Sequence, residues 1–415
     1  MVASVDAKAA SNADAKTHSK INSNRIVILG GGFGGLYTAL RLSELVWDQG
    51  QPPEIVLVDR SDRFVFLPLL YELMTGELQT WEVAPPYSEI LANTPVRFVQ
   101  DAVTVIDPNA QTVTLAGGEL LGYQRLVLGL GGETPMEMVP GAADHGIPFR
   151  SLEDAYRLED RLRALEQSDQ DKIRVAVVGG GYSGVELACK LADRLGDRGR
   201  LRIIEQSDKV LRNSPAFNRQ AADVALEKRG IWIDWETTVQ GITDENITLV
   251  FRDEMESLPV DVVLWTVGNR IPELVRSLPL EKNERGQVKA DASLRTSDPH
   301  IFALGDVAES RDQAGELVPS TGQVAIQQAD YVAWNVWASL GDRPSLSFRY
   351  QNLGEMLALG NTEATLTGLG LTLDGPLAYA ARRLVYLYRM PSFEHQVKVG
   401  LNWLTQPLLK GLGIG

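Results

Sequence analysis

The sequence predicts an α/β protein with two Rossmann-like domains. The first observation is Arg25–Gly35, RIVILGGGFGG, where an apolar β-branched run passes straight into Gly30, Gly32 and Gly35, spaced as G-x-G-x-x-G. The second is Val175–Glu186, VAVVGGGYSGVE, which repeats the strand, the glycine spacing (Gly179, Gly181, Gly184) and the start of a helix. The third is an acid that closes the next strand in each copy, Asp59 after EIVLV and Glu205 after LRII. In such a pattern the glycines serve a tight turn, close backbone approach to a pyrophosphate and close helix–strand packing. The helix aims its N-terminal amides at the phosphates, and the acid accepts from a ribose hydroxyl. One copy is weak evidence, because glycine-rich turns occur without ligands. Two complete copies in one chain point to two bound dinucleotides.

The elements follow in order. Ile26–Leu29 reads as a strand buried on both faces, Leu36–Val46 as the first helix and Glu54–Asp59 as the second strand. Phe64–Leu73, FVFLPLLYEL, is apolar but broken by Pro68, and is expected in an excursion close to the first dinucleotide. Short strands are expected at Val96–Val99, Thr112–Leu115 and Arg125–Leu130, the last running into a glycine cluster at Gly129, Gly131 and Gly132. Glu153–Gln167 has helical spacing and joins the first domain to the second, which closes with Val260–Gly268. Ile301–Asp306, IFALGD, is a strand that returns to the first domain, and Thr321–Leu340 is a helix.

The chain's 415 residues allow two or three domains. Its net charge of −14 disfavours nucleic acid as a partner. A single cysteine, Cys189, excludes a disulfide framework and a CxxC redox centre, and its apolar helical setting reads as a packed thiol. Nothing in the sequence suggests a metal site. Residues 1–24 are polar, without the apolar stretch of a signal peptide, and read as a disordered tail; Asp6, Asp14 and the lack of Arg there speak against a transit peptide. No run approaches the ~20 apolar residues of a spanning helix.

Together the two fingerprints, Glu186, the FALGD block and the GQVAIQQ block resemble, in that order, the two-dinucleotide-binding flavoproteins and more narrowly the type II NAD(P)H:quinone dehydrogenases. The likeness covers residues from about 25 to 400. FLPLLYELMTGE, VLWTVG, FRYQNLGEMLALG and TGLGLTLDGP narrow it to the cyanobacterial and chloroplast branch that includes demethylphylloquinone reductase. The resemblance implies a non-proton-pumping oxidoreductase that passes hydride from NAD(P)H to FAD and two electrons to a membrane quinone, a naphthoquinone or plastoquinone, with a place in phylloquinone biosynthesis. It implies an FAD domain at 25–150 and 278–345, an NAD(P)H domain at 151–277 and a membrane-associating region at 346–415. Gly30, Gly32, Gly35, Asp59 and Asp306 would hold FAD; Gly179, Gly181, Gly184 and Glu205 would hold NADH or NADPH. Glu186 would lie beside the nicotinamide.

Gln323 and Gln327 stand i, i+4 on one helix face. By spacing alone they are two solvated glutamines; by resemblance to an AQxAxQ pattern, in which Gly322 replaces Ala, they are quinone contacts. The helix beginning near Thr321 points a positive dipole end of ~0.3–1 kcal/mol at charge on a reduced flavin. Glu205 repels a 2′-phosphate and favours NADH. Nearby Arg202, Lys209 and Arg212, with the branch's association with NADPH, argue the other way, and both donors stay open.

From Pro376 to Gly415 the charge balance reverses: Arg382, Arg383, Arg389, Lys398 and Lys410 against Glu394, net +4. Leu384–Tyr388 and Val399–Leu404 interleave aliphatic and aromatic residues, as an amphipathic surface at a membrane interface does. A homodimer contact or a cap on the flavin domain would use the same residues. The membrane reading places the protein on the cytoplasmic face of a thylakoid or plasma membrane, peripheral, and cyanobacterial rather than plastid. Two other functions remain open: a soluble FAD reductase of a small redox protein, and a flavin redox sensor with little turnover. Disulfide and sulfide:quinone reductases need paired cysteines and are excluded.

Overall fold

The structure, a computed structural model, describes residues 24–47, 52–341 and 343–411; all but Asn24 of the expected N-terminal tail lies outside them. The elements that carry the sites are, along the chain, β1 (Arg25–Leu29), α1 (Phe33–Glu44), β2 (Glu54–Asp59), β3 (Arg97–Gln100), β4 (Arg125–Leu128), β5 (Gly146–Pro148), α2 (Leu152–Gln167) and β6 (Ile173–Val178). They continue with α3 (Tyr182–Leu195), β7 (Gly199–Ile204), β8 (Trp232–Asp234), β9 (Val262–Trp265), β10 (Ile301–Ala303), α4 (Gly322–Leu340), α5 (Gly375–Tyr388) and α6 (Phe393–Gly411).

The chain divides into two compact units. The first comprises residues up to Phe64, Tyr87–Gly132 and Ile271–Tyr350. Its sheet is parallel throughout, in the order β10-β4-β1-β2-β3. Ile26, Val27, Ile28 and Leu29 are all fully buried, as a strand covered on both faces requires. Val27, Leu29, Val56, Val58, Leu126 and Leu128 pack with Val113, Leu115 and Leu121 of a three-stranded antiparallel sheet spanning residues 103–122.

The second unit comprises Val65–Pro86, Glu133–Arg270 and Gln351–Gly415. Its parallel sheet has the order β8-β7-β6-β9-β5. A second three-stranded meander, residues 237–259, lies between β8 and β9 in the chain, so the repeat first visible in the glycine loops extends to a whole βαβ–meander–β module. α1 starts at Phe33, within the fingerprint, because Gly32 itself is the N-cap. α2 starts after Ser151, whose hydroxyl accepts from the Asp154 amide while the Asp154 carboxylate accepts from the Ser151 amide, a capping box.

Candidate active site

The two glycine loops share their principal bonds. Gly30 has φ +93° and Gly179 φ +109°, and their amides donate to Val58 O and Ile204 O, each at 2.8 Å. A Cβ on Gly35 would lie 1.8 Å from Gly30 O, and one on Gly184 1.8 Å from Gly179 O. These positions therefore let the helix close onto the strand. Gly129 of the glycine cluster after β4 packs against the first loop, its oxygen 2.4 Å from where a Gly30 Cβ would sit.

The strand-end acids repeat as well. Asp59 accepts from Gly31 N at 2.6 Å and Ser61 N at 2.8 Å. Glu205 accepts from Gly180 N at 2.7 Å, Ser207 N at 2.8 Å and Ser207 Oγ at 2.6 Å. Each carboxylate thus pins its loop open and, with about four lone-pair sites, keeps capacity for a ribose hydroxyl.

The loops fit a dinucleotide. Gly32 and Gly181 are N-caps with no side-chain capping bond, and a Cβ added at either would meet nothing within 4 Å. Neither N-cap residue thus carries a side chain that would fill the space beside the loop, as a pyrophosphate site requires.

Asp306 sits in a 3₁₀ turn after β10. That turn is held by Gln328, a residue the sequence reading did not single out. Its Oε1 accepts from Gly305 N at 2.7 Å and its Nε2 donates to Ser310 Oγ at 2.7 Å, with the side chain buried. The signal was available: Val324, Gln328 and Val332 share the inward face at i, i+4 spacing. Gln323 and Gln327 are half-buried on the neighbouring face, and Gln323 Oε1 accepts from Tyr350 OH at 3.2 Å. At Gly322 an Ala methyl would stand 3.1 Å from the Phe33 ring, which gives the departure from the family pattern a steric reason.

Glu186 points into the interior of the second unit and is 6 % exposed. Its Oε1 accepts from Ala358 N at 2.8 Å and lies 3.5 Å from Arg382 Nη2. Burial outweighs these partners and pushes its carboxyl up to about 7. Arg382 is fully buried and pairs more closely with Glu72, also fully buried, at 2.5 Å. Beside them Lys190, fully buried, pairs with Glu77, which also accepts from Tyr379 OH and lies 3.5 Å from Arg383. The lone Cys189 is buried, its thiol pushed up to about 12 by that burial, and is inert as a nucleophile.

The C-terminal charge reading needs correction. Arg382 and Arg383, two of the five cations assigned to a basic surface, are turned inward onto Glu72, Glu186 and Glu77, and the Lys410 side chain lies outside the described residues. Glu82 anchors α6: its backbone oxygen bonds His395 Nε2 at 3.0 Å, and its carboxylate accepts from Asn402 Nδ2 at 3.0 Å and Trp403 Nε1 at 2.8 Å. Val399 is buried. The opposite face, Phe393, Val397, Leu401 and Leu404, is exposed, as are Leu377, Leu384 and Tyr388 of α5. Among the described residues no helix is long and apolar enough to cross a membrane, and no group of side chains could hold a metal ion.

The pyridine nucleotide-disulphide oxidoreductase family model matches residues 24–329. The chain is 58% identical over 389 residues to the demethylphylloquinone reductase NdbB of a Synechocystis species, covering 92% of this chain and 96% of that one. It is 43% identical to the alternative NAD(P)H-ubiquinone oxidoreductase C1, chloroplastic/mitochondrial, of Arabidopsis thaliana, covering 94% and 82%. The NDH2 structure from Plasmodium falciparum in complex with NADH superposes with a TM-score of 0.81 at 16% identity, covering 92% of this chain and 98% of that one, and so supports the fold. The chain belongs to the pyridine nucleotide-disulphide oxidoreductase family and, within it, to the type II NAD(P)H:quinone oxidoreductases.

Proposed function

We propose that this protein is an FAD-dependent NAD(P)H:quinone oxidoreductase that works at a membrane surface on a naphthoquinone, demethylphylloquinone in the first instance, or on plastoquinone. The observation that carries the reading is the duplicated, acid-pinned glycine loop with its uncapped helix N-terminus. FAD, when bound, supplies the hydride acceptor and the two-electron donor.

The chain's own residues bind and orient. Gly30, Gly32, Gly35 and Asp59 hold the FAD pyrophosphate and ribose, and Gln328 fixes the turn that presents Asp306 to the ribityl chain. Gly179, Gly181, Gly184 and Glu205 do the same for NADH or NADPH. Gln323 and Gln327, half-buried rather than freely solvated, donate amide hydrogen bonds to quinone carbonyls. The N-terminus of α4 contributes positive potential where reduction builds negative charge. Glu186, poised near neutrality, takes up or releases a proton at its carboxyl.

The exposed apolar faces of α5 and α6 lie in the interface of a thylakoid or plasma membrane, on its cytoplasmic side, where a lipid-soluble quinone is reached. Steady-state oxidation of NADH and NADPH by the FAD-loaded protein, with a short-chain naphthoquinone as acceptor, tests the reading. Quinone-dependent turnover supports it, and flavin reduction without turnover refutes it.

A further inference from the structure

Glu72, Arg382 and Glu186 form a buried cluster of two acids and one guanidinium. The sharing is unequal. Arg382 Nη1 is 2.5 Å from Glu72 Oε1 and Nη2 donates to Pro68 O at 2.6 Å, both on the 3₁₀ segment Leu67–Leu73. The same Nη2 is 3.5 Å from Glu186 Oε1. The Tyr386 ring, 4.8 Å from the guanidinium carbon, packs against the cation. Lys190, the other cation near Glu186, is taken by Glu77.

We propose that Glu72 is a positioning residue: it draws the Arg382 guanidinium onto the Leu67–Leu73 segment, away from Glu186, and so leaves the Glu186 carboxyl free to gain and lose a proton. With both acids ionised the triad carries one net negative charge in a fully buried site; a proton on Glu186 makes it neutral. The remaining groups facing Glu186 are Tyr182, Cys189 and Lys190 on its own helix, Tyr71 from the 3₁₀ segment and Tyr386 from α5. Burial raises the tyrosines and the thiol, so they stay neutral where Glu186 titrates. Glu72 itself lies below the usual carboxylate range: burial opposes this, but Arg382, Lys190 and Arg383 outweigh it. The proton therefore goes to Glu186. The inference rests on the quinone reductase reading only for its kinetic consequence.

The test is a pH titration of the FAD-loaded protein by infrared difference spectroscopy, with the Glu186 carboxyl band assigned by its loss in Glu186→Gln. In the wild-type protein the band titrates near neutrality. In Glu72→Gln the guanidinium has Glu186 as its sole anion, and the midpoint falls by about one pH unit or more; Glu72→Asp, which draws the carboxylate back by one methylene, moves it the same way by less. The pH limb of kcat moves with the band. A midpoint that does not move in either variant, each retaining flavin and native circular dichroism, overturns the proposal. So does a wild-type band already titrating at the ordinary glutamate value of 4.5, a result that does not depend on either Glu72 variant. Should the protein prove to lack quinone turnover, the infrared midpoints still decide the matter.

Discussion

Glu205→Gln should shift the nucleotide preference of the second glycine loop towards NADPH. The Glu205 carboxylate is held in place by Gly180 N, Ser207 N and Ser207 Oγ at 2.6–2.8 Å, so it cannot swing away from an incoming phosphate. Two charges ~4 Å apart interact by ~1 kcal/mol in water and ~4 kcal/mol near a protein surface, and Glu205 is half-buried. Removing the charge while keeping the side chain's shape should therefore raise the ratio of kcat/KM for NADPH over NADH by about tenfold or more, at ~1.4 kcal/mol per factor of ten. The amide cannot accept all three bonds, and a buried donor left without a partner costs ~1–3 kcal/mol. Thermal unfolding must accordingly be measured alongside. Ser207→Ala is the control: it removes one bond to Glu205 but keeps the charge, and should leave the ratio unchanged. A ratio that stays put in a folded Glu205→Gln enzyme would refute the assignment of this carboxylate to the 2′-position.

The paired glycines should separate two kinds of damage, read by flavin absorbance per protein and by unfolding temperature. Gly32→Ala, with nothing within 4 Å, should fold but hold FAD less tightly, whereas Gly35→Ala, 1.8 Å from Gly30 O, should fail to fold. Glu186→Gln should change the pH dependence of stability. A carboxyl raised from 4.5 to about 7 binds a proton in the folded state that the unfolded chain has lost, so stability falls as pH rises between those values, by about 3 kcal/mol in all, and denaturant titrations at the two ends should show that slope vanish in the variant. Gln323→Leu and Gln327→Leu should each raise KM for the quinone by several-fold, the loss of a hydrogen bond of ~1 kcal/mol, with KM for NADH unchanged. Sedimentation with neutral lipid vesicles should be retained at high salt and lost in Leu384→Asp/Leu404→Asp; binding that disappears with salt alone would contradict an apolar contact.

Local patterns in this chain were readable because local physics fixes them. A β-branched run, three glycines and a following acid determine a strand, a turn, a helix start and a pinned loop within the stretches Arg25–Asp59 and Val175–Glu205, and both copies adopted that form. The parallel pairing of β1 with β2 and of β6 with β7 followed from the helix that joins each pair. The segment Val65–Pro86 was harder: its apolar run and Pro68 suggest an irregular excursion, expected close to the first dinucleotide, but do not say which unit it packs in, and it belongs to the second. What defines its place in the second unit is Glu72, whose partner Arg382 is 310 residues away in sequence. No spacing rule reaches that far.

The C-terminal region fails in the same way and for a more general reason. A net charge summed over Pro376–Gly415 assumes that every cation faces solvent, but a helix face is chosen by its best partner. Glu72 and Glu77 in the second unit offer buried anions, and Arg382 and Arg383, next to each other on α5, turn inward to meet them. Once inside, they must be paired, since an unmatched buried charge costs several kcal/mol. The leftover face of α5 then carries Leu377, Leu384 and Tyr388, and that of α6 carries Phe393, Val397, Leu401 and Leu404. Lys398, still exposed, is paired with Glu394 at 2.9 Å. Burying an apolar side chain of this size contributes ~1.5–3 kcal/mol, against ~1 kcal/mol for each cation beside an anionic leaflet. Seven such side chains outweigh the cations that remain, so the exposed surface of this region is apolar rather than basic, and the membrane contact proposed for it would be an apolar one. The arginines that looked like its lipid contacts serve the buried carboxylates instead.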